Sequence, residues 1–168
     1  MMTASDRRRS VRPSRSRRTP AEIAAAVRPI AAQIADDLGL VLWAVDFVRG
    51  AGRETLRVSA DRVGGIDSEE LARFSEQLSR ELDRVDAVPG EARYVLEVSS
   101  PGAERKLEAP DQFAVCVGRV AKLSLRDGRT VEGAIRAVTD NAVEIGDEEG
   151  GVRALFDDIA RARLVVKL

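Results

Sequence analysis

Histidine is absent from the 168 residues and cysteine occurs once, at Cys116. Together these two scarcities exclude most catalytic and metal-binding designs. A Ser-His-Asp or Cys-His pair needs an imidazole, and a zinc site needs several Cys or His ligands. A disulfide within the chain needs a second cysteine. Carboxylates are plentiful, but no pair stands apart from basic neighbours as an acid/base couple does. The expectation is therefore no enzyme, no metal and no cofactor. Cys116 lies in the apolar run of Phe113, Val115 and Val117 and reads as a small buried hydrophobe.

Long apolar runs are also missing. The longest is Leu40 to Val45, far short of the ~18 to 20 residues a membrane span needs. No apolar stretch follows the Arg-rich start before Thr19, as a secretory or twin-arginine signal requires, so the expected location is the cytoplasm. Aromatics are few, with one Trp, one Tyr and four Phe. Trp43 and Phe47 could offer bases a stacking platform. With Leu42 and Ala44 beside them, burial is the better reading.

Net charge is −1, which hides a sharp division. Residues 1–20 carry Arg7, Arg8, Arg9, Arg12, Arg15, Arg17 and Arg18 against Asp6, a net +6, which leaves 20 basic and 27 acidic side chains, net −7, on the other 148 residues. The Arg/Ser-rich stretch of residues 1–19 has almost no large apolar side chain, so it reads as a disordered tail, either a solvated extension with no dedicated role or one making nonspecific RNA contact through its seven arginines. The acidic remainder repels polyanions in general and attracts cationic partners.

Beyond the tail, Thr19-Pro20-Ala21-Glu22 is a helix start, with Thr19 as cap and Glu22 as the box residue. Ile23, Val27, Ile30, Ile34 and Leu38 recur at helical spacing, and Gly39 closes the helix. Val41, Trp43, Val45 and Phe47 alternate on one strand and Leu56, Val58 and Ala60 on the next, with a Gly50/Gly52 turn between. A second helix is capped by Asp67 and Glu70 with an Ile66–Leu71 staple. It carries the stripe Leu71, Phe74, Leu78, Leu82, Val85, and Pro89-Gly90 stops it. A strand over 93–99 follows. The order α-β-β-α-β predicts two helices on one face of a three-stranded sheet, a two-layer α+β domain over 20–99 of KH-type or α-lytic-prodomain-like kind. The KH clamp, a GXXG loop between helices, is absent from the right place.

From residue 113 the texture changes to short strands, predicted at 117–125, 130–138, 142–146, 152–156 and 162–168. Asp127-Gly128 marks a hairpin, the acidic turn Asp147 to Gly151 marks another, and Asp157 to Ala160 reads as a 3₁₀ turn. Five strands in under 60 residues predict a small β-barrel over 113–168. Residues 100–112 are the linker.

Between the two regions lies YVLEVSSPGAERKL, residues 94–107. The alternating strand stops at Ser99-Ser100-Pro101-Gly102, where Pro101 cannot donate to a ladder and Gly102 can take a positive φ. LEVSSPG followed by Glu104, Arg105 and Leu107, with a small β domain behind it, resembles the ribosome maturation factor RimP family. Here Ala103 and Lys106 stand where that family usually has a large apolar residue and a second proline.

The resemblance covers about residues 20–168. It implies a cytoplasmic, non-enzymatic factor with an α/β N-terminal domain and an SH3/Sm-like C-terminal barrel, acting on the immature small ribosomal subunit. The implied partners are a basic ribosomal protein of the decoding-centre region, contacted mostly through the C-terminal domain, and rRNA. A monomer is expected, with no membrane association. Candidate partner-binding residues are Ser99, Ser100, Pro101, Gly102 and Arg105 at the joint, where hydroxyls and a guanidinium can bond exposed backbone or a phosphate. Asp147, Glu148 and Glu149 join them as the densest acidic run in the chain. The alternative is an Sm/KH-like RNA-binding regulator. It needs a basic stripe, whereas residues 110–168 hold nine basic and ten acidic side chains that would have to be strongly segregated.

Overall fold

The computed structural model describes residues 17–89, 93–102 and 105–166. The expected tail arginines Arg7, Arg8, Arg9, Arg12 and Arg15 lie outside this range, as does the Gly90 stop.

Helix α1 (Pro20–Asp37) begins with the reciprocal capping box that its sequence spells: Glu22 N–H donates to Thr19 Oγ1 at 3.2 Å, and Thr19 N–H to Glu22 Oε2 at 2.6 Å. Its Ile23, Val27, Ala31 and Ile34 are buried. It leads through Gly39, at φ 70°, into strand β1 (Val41–Gly50). A tight turn returns β2 (Arg53–Asp61) antiparallel to β1. Helix α2 (Ser68–Val85) carries the Asp67/Glu70 box and buries Phe74, Leu78 and Leu82. Val85, predicted to extend that stripe, is exposed, because the helix ends there with Asp86 in the left-handed region at φ 49°. Strand β3 (Tyr94–Ser99) pairs parallel with β2, giving the sheet order β1-β2-β3. Both helices contribute to one core with Val45, Phe47, Leu56, Val58 and Ala60.

The C-terminal part departs further from expectation. Residues predicted as the end of the linker and the first positions of the barrel, ahead of its first strand, form helix α3 (Pro110–Val115). Pro110 supplies its first turn, and Gln112 Oε1 accepts from Glu108 N–H at 2.7 Å. Gly118 then turns at φ 89°, so β4 is shorter than predicted (Val120–Leu125). Strands β5 (Thr130–Val138), β6 (Ala142–Gly146) and β7 (Gly151–Leu155) follow as an antiparallel meander. A 3₁₀ turn (Phe156–Asp158) leads into β8 (Ile159–Leu164), which returns to pair with β4. The sheet order is β7-β6-β5-β4-β8. It is not the closed barrel that was predicted, because β7 and β8 do not pair. The outer edge of β8 is instead occupied by the segment arriving from the joint: Leu164 N–H donates to Arg105 O at 2.9 Å, Leu107 N–H donates to Ala162 O at 3.0 Å, and Lys106 bridges Arg163. Leu123, Ile135, Val143, Ile145 and Leu164 form a second core.

Two glycines are dictated by packing in this sheet. A Cβ on Gly133 would sit 2.9 Å from Gly146 Cα, and one on Gly146 would sit 2.2 Å from Gly150 O. Backbone approaches backbone there.

Candidate functional site

Strand β1 is irregular at one point, and that point builds the joint. Leu42 pairs with Ala60 and Ala44 with Ser59, leaving Trp43 as the extra residue of a β-bulge. A bulge re-aims its side chain. Alternation predicts Trp43 on the same core face as Val45 and Phe47. Instead the indole is buried in the second core, among Leu107, Phe113 and Cys116. Its Nε1–H donates to Lys106 O at 3.2 Å, and the Trp43 carbonyl accepts from Gln112 Nε2 at 3.4 Å. One residue of the first sheet is thus held by the segment and helix that introduce the second.

Arg105 stands at the centre of this contact. Its guanidinium lies 4.3 Å above the Trp43 ring centroid, a cation–π stack. Nη2 donates to Asp61 Oδ2 at 2.6 Å and approaches Cys116 Sγ at 3.4 Å. The side chains of Arg105 and Asp61 are 7% and 5% exposed. The expectation that Arg105 offers its guanidinium to a partner is therefore corrected: Asp61, Trp43 and Cys116 enclose it. Such a pair contributes little net stability, because desolvation offsets its attraction. What it supplies is geometry, since a planar fork stacked on one face and bonded at its edge has one position. Arg105 Nε is buried with no hydrogen-bond partner among the described residues, a cost the site carries.

Cys116 is fully buried, as expected of a small hydrophobe, and its sulfur also accepts from Arg105. Asp61, Trp43 and Gln112 are joint residues that sequence reasoning did not place there. No local signal marks Asp61: an acid directly after the core position Ala60 falls on the opposite face of its strand and reads as solvent-facing.

The other candidate residues stay apart from this cluster. Ser99, Ser100 and Gly102 are exposed and Pro101 is half-buried. Among the described residues neither serine hydroxyl is bonded. Gly102 does not adopt a positive φ, contrary to expectation, and a Cβ there meets open space. The end of β3 therefore rests on Pro101, which has no N–H to donate to a ladder, and not on a strained glycine. Asp147, Glu148 and Glu149 are exposed on the β6–β7 turn at the opposite edge of the second sheet. Asp147 is partly committed to that turn, its Oδ1 accepting from Glu149 and Gly150 N–H at 3.0 and 3.1 Å. Of the tail, Arg17 pairs with Glu54, and the Arg18 carbonyl accepts from Arg49 Nη2 at 2.6 Å, which lays this end of the tail along the β1–β2 hairpin.

Among the described residues no group of His, Cys, Asp or Glu is placed to hold a metal ion, and no helix is long and apolar enough to cross a membrane. The arrangement orients two cores against each other. Residues 30–104, comprising the C-terminal part of α1, all of the first sheet and α2, and the Ser-Ser-Pro-Gly stretch, match the family model described as the RimP N-terminal domain.

Proposed function

As this chain belongs to the RimP family, we propose that it is a ribosome maturation factor that acts without catalysis, binding the immature small ribosomal subunit through a basic ribosomal protein of the decoding-centre region and adjacent rRNA. The observation that carries the reading is the match over residues 30–104, which runs up to the buried joint at Arg105. A binding protein can favour one state of a maturing particle only by binding that state better. A fixed angle between two cores serves this purpose, because two surfaces held at one orientation fit one arrangement of a target and lose contact with others. The SH3/Sm-like character of the C-terminal half belongs to the same reading. So do a cytoplasmic setting, a monomeric state and the domain division at residues 100–112.

The exposed turn acids Glu148 and Glu149, with Asp147, are suited to steer a cationic protein, and their influence falls as salt screens beyond ~10 Å at 0.1 M. Ser99 and Ser100 supply hydroxyls beside the joint that are unbonded among the described residues. The test is capture of small-subunit particles by the intact chain from extracts, with cross-linking to identify the touched components. Enrichment of immature over mature particles, with a basic ribosomal protein among the cross-links, is the expected result. Equal capture of both particle types refutes the reading.

A further inference from the structure

The outer face of the second sheet carries a row of like charges that the fold does not neutralise. Lys106 bridges Arg163, and Arg163 pairs with Lys122, so three basic residues stand side by side across three neighbouring strands. Arg161 pairs with Ser124 two residues further along. Burial alternates accordingly: Ala121, Leu123 and Leu125 of β4 and Ala162 and Leu164 of β8 turn into the core, while Lys122, Ser124, Arg161 and Arg163 face away from it. Among the described residues none of Lys106, Lys122, Arg161 and Arg163 forms an ion pair. A cleft of about 760 Å³ opens here, and among the described residues Glu108 is the single acid lining it. Glu132, opposite Lys122 on β5, ends the row. Like charges directly opposite each other destabilise a sheet, so an intramolecular role does not account for the row.

We propose that this row binds the phosphate backbone of RNA. Neighbouring strands lie ~4.8 Å apart, so three aligned cations span about 10 Å, enough to follow a short stretch of one nucleic-acid backbone. Arginine pairs phosphate oxygens bidentately, and Ser124 adds a hydroxyl donor among the cations. The two rings that border the cleft, Phe113 and Phe156, pack on each other with centroids 5.2 Å apart. No free stacking platform faces the row, and binding is to backbone rather than to base sequence. An acidic peptide fits less well. It gains most by adding a strand to an open edge, and the adjoining edge of β8 is occupied by Arg105 and Leu107. Three of the nine basic side chains of residues 110–168 thus gather in this row on β4 and β8, while three of the ten acidic ones lie on the turn beyond β6 at the other end of the sheet.

The inference deepens the proposed role by giving it an RNA contact, and rests on it only for which RNA is met in the cell. Isolated RNA therefore tests it separately. The full chain is titrated with a fluorescently labelled RNA hairpin of arbitrary sequence across a salt series, alongside the variant Lys122→Gln, Arg161→Gln, Arg163→Gln. Tail arginines are common to both and cancel. Three lost contacts at ~0.9 each on a paired stem lower the salt slope by about 2.7, so the parent's advantage shrinks about fortyfold between roughly 50 and 200 mM salt. Should the triple variant fold poorly, Ser124→Asp keeps every cation and places a charge that repels phosphate within the row; it is expected to weaken RNA binding at unchanged thermal stability. Parent-like affinity and slope in whichever of these variants folds overturn the proposal. So does a loss confined to a polyglutamate probe with RNA unaffected, which assigns the row to an acidic protein surface. Failure to capture immature subunits, with this RNA result intact, refutes the proposed role alone.

Discussion

Asp61, the last residue of β2, and Arg105 are 44 positions apart and meet at 2.6 Å in an almost solvent-free interior. The pair ties the end of the first sheet to the start of the segment that edges the second. Neither residue has another ionic partner among the described residues, so each depends on the other for its charge to be tolerated.

Removing one partner leaves the other charge buried alone, which typically costs about 3–5 kcal/mol. Asp61→Ala is expected to show that loss in urea unfolding, with Asp61→Asn less severe because its amide oxygen still accepts from the guanidinium. Arg105→Lys keeps the charge but loses the planar stack on Trp43 and the fork geometry. It is expected to recover only part of the stability. A loss below about 1 kcal/mol for Asp61→Ala indicates that water reaches the pair.

Trp43 is the single tryptophan and reports on the joint directly. Its emission is expected to be blue-shifted in the native chain, as an indole only 8% exposed requires. In Arg105→Ala the emission is expected to move to the red at denaturant concentrations where far-UV circular dichroism is still native. That outcome marks separation of the two cores before either unfolds. Coincident transitions by both probes place the joint within a single cooperative unit.

Glycine positions separate cleanly. Gly102→Ala adds a methyl group into open space at an unstrained backbone, so thermal unfolding is expected within about 0.5 kcal/mol of the parent. Gly146→Ala forces a Cβ against Gly150 O in the β6–β7 turn, and overpacking of this kind costs about 1–3 kcal/mol.

The α1 cap is sensitive to acid. Thr19 backbone N–H, then its hydroxyl, hold the Glu22 carboxyl below its ordinary value. A depressed folded-state value means the stabilisation is present above the unfolded carboxylate range and is lost as pH falls through the folded value. NMR titration is expected to show Glu22 protonating below an unstructured glutamate, with the first turn of α1 losing amide protection in step. Glu22→Gln is expected to abolish that pH dependence while retaining most of the helix.

Much of this architecture is legible in the residues because it is governed locally. Both capping boxes, the β1–β2 hairpin and the bounds of β5 and β6 follow from side chains within a few positions of each other. The joint was not legible, for reasons that are equally physical. Strict alternation sends Trp43 into the first core, and only the bulge at that residue, visible in the pairing with β2, turns it toward the second. Arg105 reads as solvent-facing because arginine beside a turn usually is, and its acid lies far back along the chain. Helix α3 is a single short turn and a half whose start depends on Gln112 reaching back to Glu108 and on the Trp43 carbonyl, a distant contact that local pattern does not encode. The predicted barrel failed to close because turn signals count strands without saying which edges meet.

The strand-like segment at Arg105 to Leu107 also bears on where the C-terminal half can be cut free. A fragment beginning at residue 113 leaves the backbone donors and acceptors of β8 open along one side, and such bare edges recruit other chains. It also discards the first half of α3. Starting at Arg105 restores the edge but still leaves Trp43's place in the second core vacant, with a buried guanidinium deprived of both its ring and its carboxylate. The genetic border between the two halves and their material border therefore do not coincide. An excised C-terminal piece is expected to be short-lived or self-associating in solution unless Arg105 is replaced by an apolar residue and the vacated indole site is filled.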